Sequence, residues 1–144
     1  MAAIRDGDRL VDVTAQEFLA RVRELAKGLI ACGVAPGDRV VLMSSTRLEW
    51  LLLDYAILAI GAITVPVYET SAAAQLRHIV TQTAPTVTLV ETAAMRALVR
   101  DADPGTAGPA VDPIVIDEGA LDLLSAGGRG IADEVLDERI DALT

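Results

Sequence analysis

Apolar positions along the first third of the chain recur with a helical period. Thr14 and Glu17 form a Ser/Thr-x-x-Glu capping box, in which each side chain satisfies a free backbone N–H of the other residue. Apolar side chains then repeat at helical spacing from Phe18 to Leu29. Gly33 suits a left-handed helix end, and Pro36-Gly37 suits a turn. The pattern predicts an amphipathic helix that ends near Gly33.

The next segment combines a short apolar run with a second helix. The run "DRVVLM" at 38–43 is continuously apolar after its first two residues, as in strands buried on both faces of a parallel sheet. Thr46 and Glu49 repeat the capping-box spacing, and the helix that follows is predicted to end at Gly61. "AITVPV" is the next predicted strand, where Pro66 favours a position at the sheet edge or among the final residues of pairing.

The same plan continues downstream. Ser71 is the predicted cap of a third helix, "TVTLV" at 86–90 is a strand, and Thr92 begins a shorter helix. "ADPGTAGPAVDP" at 102–113 is a predicted loop, and "IVI" at 114–116 a further strand. After Glu118 the periodicity weakens, and "ALDLLSAGGRG" and "IADEVLDERIDAL" predict a short helix with a glycine break and another helix.

Helix and strand thus alternate four times with short connections. This alternation predicts the α/β class, with an open, mostly parallel sheet covered by helices on both faces. Residues 1–144 are interpreted as a single α/β subdomain in which 101–144 form an acidic, less regular end. The run "WLLLDYAILAIGAITVPV" at 50–67 has the length of a membrane span. Asp54, Gly61 and Pro66 favour a buried helix followed by a strand instead.

Charge is distributed unevenly along the 144 residues. Acids and bases cancel over 1–100, so the formal charge of −9 arises within 101–144, where eleven acids face Arg129 and Arg139. Nucleic acid is an improbable partner, because phosphate neutralisation needs clustered Lys and Arg. Solvated helix faces account for the acids, and an acidic interaction surface is the alternative. Because aromatic residues make up 3%, the core must consist of aliphatic side chains.

Cysteine usage and the first residues bear on the compartment. Cys32 is the only cysteine, which fits a reducing environment, and it is predicted to be a small buried side chain near a helix end. Charged residues from Arg5 to Arg9 interrupt the start before any apolar signal region forms. A cytoplasmic location is expected, with peripheral membrane association left open for a full-length protein.

The hydroxyl triplet Ser44-Ser45-Thr46 raises the question of a phosphate site. It joins a predicted strand to a predicted helix, where free N–H groups and the helix dipole favour anions. The turn contains no glycine, so the backbone could not approach a phosphate as it does in a P-loop. In the predicted capping box, Glu49 would also occupy the donors and repel an anion. A helix cap is therefore favoured over a nucleotide site.

Other candidate chemistry is sparse. His78 is the only histidine and is interpreted as a surface or partly buried imidazole, so His-based metal clusters are excluded. Trp50 and Tyr55 fall in the most apolar helix and are interpreted as core. Glu69 follows a strand in a position suited to chemistry, but no partner is visible. No catalytic, cofactor-binding or metal-binding residue is predicted in the chain.

The order of segments resembles the beginning of the adenylate-forming enzymes, and specifically of the long-chain fatty-acid–CoA ligases. Three stretches, which together run from about Thr14 to Thr92, carry this resemblance: "VTAQEFLARVRELAKGLIACGVAPGDRVVLM", "STRLEWLLLDYAILAIGAITVPVYET" and "SAAAQLRHIVTQTAPTVTLVET". They are similar to that family's opening helix and Gly-Asp-Arg-Val strand, its helix with a Val-Pro-x-Tyr exit, and its following helix–strand unit. The inference of long-chain specificity depends on "VPVYETS".

The resemblance implies a longer parent enzyme. Family members have a Ser/Thr/Gly-rich phosphate loop, a ribose-binding Asp and a catalytic Lys in segments that this sequence does not contain. The chain is therefore interpreted as an N-terminal, non-catalytic scaffold fragment. The implied parent reaction uses a fatty acid, ATP, Mg²⁺ and CoA to form acyl-CoA, AMP and pyrophosphate through an acyl-adenylate. No binding of these molecules by the fragment itself is expected.

Two alternatives and one consequence remain open at this stage. The chain could be a complete flavodoxin-like binding or regulatory module, which would need a ligand crevice or an acidic phosphoacceptor cluster at the strand ends. It could also be a structural interaction domain, for which the acidic end is the argument. If it is a scaffold, apolar surface intended for another part of the enzyme would be exposed, and self-association through that surface is expected.

Overall fold

The computed structural model describes residues 2–6, 9–102 and 112–143. The strands are β1 (Ala2–Asp6), β2 (Arg9–Val13), β3 (Arg39–Met43), β4 (Ile63–Val67), β5 (Val87–Val90) and β6 (Ile114–Val115). The helices are α1 (Ala15–Ala31), α2 (Leu48–Ala59), α3 (Ala73–Thr83), α4 (Ala93–Ala102), α5 (Ala120–Gly127) and α6 (Asp133–Asp141). The predicted loop at 102–113 lies largely outside the described residues.

A four-stranded sheet organises the molecule. Its strand order is β4-β3-β5-β6, and every neighbouring pair is parallel. Val41 of β3 lies opposite Val65 on one side and Thr88 on the other. The predicted parallel α/β architecture is confirmed, and so is the edge position of the strand that contains Pro66. The apolar run at 50–67 divides, as predicted, between a helix and a strand.

Helices cover both faces of this sheet, as the alternation predicts. One face buries α1, α2, α5 and α6 against Val40 and Leu42 of β3. The other face buries α3 and α4 against Val41 and Met43 of the same strand. Because successive strand side chains point to opposite faces, a central strand buried on both sides needs a continuous apolar sequence. The run at 40–43 satisfies this requirement.

An antiparallel pair of strands precedes α1 and was not predicted. β1 and β2 pair in a register that places Ile4 opposite Val11 and Ala2 opposite Val13. The sequence does carry a signal for it, because Asp-Gly between two short runs is typical of a hairpin turn.

The first helix forms as its caps predict, but two later caps differ. Glu17 N–H donates to Thr14 Oγ1 at 3.0 Å, Thr14 N–H donates to Glu17 Oε2 at 3.4 Å, and Gly33 adopts a φ of 91°. The predicted box at Thr46 and Glu49 is wrong. The helix begins one residue later, after Arg47, whose backbone is extended. The Glu49 carboxylate accepts a hydrogen bond from the Arg47 side chain instead of capping the helix.

The predicted cap at Ser71 is also wrong. α3 begins after Ala72, and the Gln75 side chain accepts a hydrogen bond of 3.1 Å from the Ala72 N–H. Thr92, in contrast, caps α4 as predicted, because its hydroxyl accepts from the Met95 N–H at 3.2 Å. Of the four predicted helix caps, Thr14 and Thr92 are therefore correct. Thr46 and Ser71 are wrong, and each lies one residue before the cap that the structure shows.

Two buried positions were predicted wrongly. Cys32 is exposed, because it is the C-cap residue of α1 and lies beyond the last turn that packs on the sheet. Tyr55 is 52% exposed, since it lies on the outer side of α2 and meets only the edge of the Phe18 ring at a centroid distance of 5.4 Å. Trp50 is half-buried against the core of the α1–α2 face.

The acidic last third packs as helices against α1. Arg23 forms an ion pair of 2.9 Å with Asp137, and Lys27 pairs with Asp133. Leu124 and Leu136 are buried in the same core as α1. Part of the negative charge that the sequence concentrates in 101–144 is thus matched by the basic residues of α1. Among the described residues, no helix combines the length and apolarity needed to cross a bilayer.

Candidate functional site

The carboxyl ends of β3 and β5 bring the hydroxyl triplet next to a carboxylate. Because the two strands are adjacent and parallel, Ser44 and Ser45 lie beside Glu91. Glu91 Oε1 accepts hydrogen bonds from Ser45 N–H at 3.0 Å and from Ser44 Oγ at 3.1 Å, and a further one from Ser45 Oγ. The Ser45 amide and both serine hydroxyls are therefore occupied by a side-chain carboxylate.

This hydrogen bonding favours the ionised form of Glu91. Partial burial by itself opposes ionisation, but the hydrogen bonds from Ser45 and Ser44 outweigh it, and the nearby Arg47 adds attraction. The pKa of Glu91 is consequently held below its ordinary value. A negative charge thus sits at the turn where a phosphate would have to bind, which argues against a nucleotide site at Ser44-Ser45-Thr46.

A second polar group surrounds the start of α2. Arg47 Nε donates to Glu49 Oε2 at 2.7 Å, and Arg47 Nη1 donates to Asp117 Oδ1 at 2.9 Å. These contacts, led by the hydrogen bond to Glu49, raise the pKa of Arg47 further above its ordinary value. Arg47 therefore ties the β3–α2 connection to the segment after β6, and its charge is already neutralised.

A small pocket opens on the other side of β3, between its carboxyl end and that of β4. Its volume is about 230 Å³, and it is lined by Ser44, Thr46, Trp50, Pro66, Val67 and Tyr68. Tyr68 is 84% exposed at the mouth. We refer to this pocket as the β3–β4 crevice.

The remaining residues considered in the sequence analysis do not assemble into a site. His78 and Glu69 are both exposed, the first on α3 and the second after β4. Within the part of the chain that the structure describes, no three His, Cys, Asp or Glu residues are grouped so that they could hold a metal ion. The described residues therefore supply no metal centre.

Sequence reasoning missed Glu91 as the partner of the serines and named Glu49 instead. The signal was available, because "TVTLVE" and "RVVLMSS" both end a buried parallel strand with polar residues. Polar residues that follow neighbouring parallel strands meet at one edge of the sheet. The strand order was needed to know that β5 lies next to β3, so that Glu91 after β5 is the partner of the serines.

Comparisons with known proteins agree with this architecture. The family model described as AMP-binding enzyme matches residues 1–134. The long-chain-fatty-acid–CoA ligase FadD15 of Mycobacterium bovis is 41% identical over 136 residues, which represent 92% of this chain and 22% of that protein. The 4-coumarate–CoA ligase-like 5 protein of Oryza sativa subsp. japonica is 35% identical over 86 residues, or 59% of this chain and 16% of that protein.

Solved structures share the fold. The crystal structure of VinN superposes with a TM-score of 0.74 at 21% identity, covering 90% of this chain and 32% of that one. Apo MatB from Rhodopseudomonas palustris gives a TM-score of 0.72 at 22% identity, covering 88% and 25%. The chain spans about a fifth of the length of the FadD15 relative. It belongs to the AMP-binding family of adenylate-forming enzymes.

Proposed function

We propose that this chain is the N-terminal scaffold portion of an ATP-dependent long-chain fatty-acid–CoA ligase. The reaction of the whole enzyme would convert a fatty acid, ATP and CoA into acyl-CoA, AMP and pyrophosphate through an acyl-adenylate. The observation that carries the proposal is the 41% identity to the FadD15 ligase, which extends over 92% of the chain. The proposed location is the cytoplasm.

The scaffold role is supported by what the strand ends offer. In open α/β sheets, ligands bind beyond the carboxyl ends of the strands. Here Glu91 already takes the Ser45 N–H and both serine hydroxyls, and Arg47 is neutralised by Glu49 and Asp117. Such an arrangement holds the ends of β3, β5 and β6 together and places an ionised carboxylate at the turn where a phosphate would bind.

ATP, CoA and Mg²⁺ are proposed as requirements of the whole enzyme. Bound Mg²⁺ would neutralise the charge that develops on the transferring phosphoryl group. No group of three ligating side chains occurs among the described residues, and no residue of this chain is proposed as a ligand of that Mg²⁺. No step of the reaction is therefore assigned to a residue of this chain.

A chimeric enzyme tests the proposal. The matched 136 residues of the M. bovis FadD15 ligase are replaced by those of this chain, and AMP release is measured with palmitate, ATP and CoA. We expect fatty-acid-dependent AMP formation together with acyl-CoA in equal amounts. A folded, monodisperse chimera that forms neither product would contradict the proposal.

Matched variants of that chimera test the absence of catalytic residues in this chain. Glu69→Gln and His78→Ala change exposed side chains that could do chemistry. Both should leave kcat/KM within about twofold of the parent chimera, because neither touches a reacting group. A loss of a hundredfold or more in either variant would place a catalytic residue here. Isothermal calorimetry of the chain alone should detect no micromolar binding of ATP.

Self-association is proposed as a consequence of the scaffold role. The exposed apolar residues on α2 and β4 are Tyr55, Leu58 and Ile63, and β4 has a free edge. Apolar surface of this kind favours contact with another chain. Size-exclusion chromatography over a hundredfold range of concentration should show a species larger than a monomer at the upper end. A monomer at every concentration would contradict this part of the proposal.

A further inference from the structure

The chain connections leave β3 and its neighbours toward opposite faces of the sheet. After β3 the chain enters α2, which packs in the core shared with α1. After β4 and after β5 it enters α3 and α4, which pack in the core on the other face. Where adjacent parallel strands send their connections to opposite faces, a crevice opens beyond their carboxyl ends, and such crevices bind ligands in open α/β sheets. β3 therefore has a crevice on each side.

The two crevices differ in what fills them. Between β3 and β5, Glu91 bridges the gap through its hydrogen bonds to Ser44 and Ser45. Between β3 and β4, a pocket of about 230 Å³ remains. A volume of this size accommodates a single ring with a short substituent.

The walls of the β3–β4 crevice indicate the chemistry of an occupant. Trp50 and Tyr68 contribute aromatic rings, and Pro66 and Val67 contribute apolar surface. Aromatic side chains attract other rings through offset or edge-on contacts. The Thr46 hydroxyl is exposed at the same wall and makes no hydrogen bond to any described residue, so it offers one donor and one acceptor.

The charges around the crevice disfavour an anion. Ser44 lines the crevice and also contacts Glu91, whose carboxylate is ionised and lies 3.1 Å from its hydroxyl. Glu49 and Asp117 add two carboxylates next to the adjoining turn, and Arg47 compensates only one charge. A carboxylate or phosphate placed here would meet a net negative field.

We propose that the β3–β4 crevice is a binding site for an uncharged aromatic molecule that carries one hydrogen-bonding group. The ring contacts Trp50 and Tyr68, and the polar group contacts Thr46. Such a ligand differs in charge from a fatty acid, from ATP and from CoA. This proposal rests on the lining of the crevice and not on the proposed function.

Protein-observed NMR with three probes tests this site in the intact 144-residue chain. Benzyl alcohol has the ring and the hydroxyl, benzoate has the ring with a negative charge, and cyclohexylmethanol has the hydroxyl without an aromatic ring. We expect benzyl alcohol to shift the amide signals of Thr46, Val67 and Tyr68 saturably, with a Kd of about 1 mM for a ligand of this size. Benzoate and cyclohexylmethanol should each bind at least about fivefold more weakly.

Variants assign the shifts to the crevice. Tyr68→Ala should weaken benzyl alcohol binding about fivefold, and Thr46→Val, which keeps the shape of the side chain, about threefold. Tyr55→Ala is the matched control, because Tyr55 is also an exposed tyrosine but lies outside the crevice. Its affinity should equal that of the parent chain. Dispersed amide spectra verify that each variant is folded.

Several results would overturn the proposal. Shifts that do not saturate, or that map to exposed apolar residues outside the crevice, would indicate non-specific contact. Equal binding of benzoate would contradict the electrostatic argument, and equal binding of cyclohexylmethanol would contradict the aromatic one. Unchanged affinity for benzyl alcohol in folded Thr46→Val would contradict the proposed polar contact with Thr46. This test stands even if Tyr68→Ala fails to fold.

Discussion

Gly28 of α1 and Gly128, directly after α5, lie in backbone contact with each other. A Cβ atom placed on Gly128 would be 2.5 Å from the Gly28 nitrogen, and one placed on Gly28 would be 2.2 Å from the Leu124 carbonyl oxygen. Both distances are far below van der Waals contact. The acidic last third of the chain therefore approaches α1 as closely as backbones permit, and glycine is required at both positions.

Substitution at this contact should destabilise the fold. Gly28→Ala would force the backbones of α1 and α5 apart, because the obstructing atoms belong to main chain that cannot rotate away. We expect a loss of about 3 kcal/mol in the free energy of unfolding, measured by urea denaturation. Helix propensity alone would predict a gain, since alanine is preferred to glycine inside helices.

Gly127→Ala is the control for this prediction. A Cβ at Gly127 meets nothing within 4 Å, and its φ of −65° is helical. The variant should be neutral or slightly stabilising. If Gly28→Ala had the same stability as Gly127→Ala, the close approach of α5 to α1 would be wrong.

Arg139 of α6 connects the ends of two other helices. Its guanidinium donates to the carbonyl oxygens of Val34, just after α1, and Ile60, the C-cap of α2, each at 3.2 Å. The Ile60 carbonyl is at the end of α2, where carbonyls lack intrahelical partners and carry the negative end of the helix dipole, whereas the Val34 carbonyl lies in the loop after α1. We expect Arg139→Gln to lower the free energy of unfolding by about 1–3 kcal/mol, measured by urea denaturation.

Two comparisons sharpen the Arg139 prediction. Arg139→Lys keeps the charge but loses the planar fork, so it should restore only part of the stability. Arg129→Gln removes the other arginine of the acidic third, which is exposed and forms no hydrogen bond to any described residue. Its unfolding midpoint should stay unchanged. Equal losses for Arg129→Gln and Arg139→Gln would mean that net charge, rather than the two carbonyl contacts, sets the stability.

The fold could be predicted where local and tertiary preferences agree. The run at 39–43 is apolar at every position after Arg39, which is required of a strand with helices on both faces, and Pro66 favours an edge. The cap at Thr14 succeeded because Glu17 has no competing partner. The cap at Thr46 failed because Arg47 offers Glu49 an ion pair of 2.7 Å.

The polar network at the strand ends was less accessible to sequence reasoning. Ser45 and Glu91 are 46 positions apart, and their contact depends on β5 lying next to β3 in the sheet, on the side opposite β4. Likewise, nothing in the spacing of Gly28 and Gly128 indicates that they touch. Long-range backbone approaches depend on the packing of whole helices, which periodicity does not encode.

Glu91 should make the stability of the chain depend on pH in the acidic range. Its pKa is lower in the folded protein than its ordinary value of 4.5, so the unfolded chain binds the proton more readily. The stabilisation is therefore complete above pH 4.5 and is lost as the pH falls through the lower folded-state pKa. Glu91→Gln should cost about 1–2 kcal/mol at pH 7, and the difference from the parent chain should shrink as the pH falls below 4.5. Urea unfolding at several pH values measures this difference.

Glu138→Gln, an exposed carboxylate without a side-chain hydrogen bond among the described residues, is the control. Adding Ser45→Ala to Glu91→Gln should cost less than Ser45→Ala alone, because the Ser45 hydroxyl and the Glu91 carboxylate share one hydrogen bond. Additive losses, or a difference that stays constant from pH 7 to pH 3, would contradict the assignment of the Glu91 charge to the serine pair.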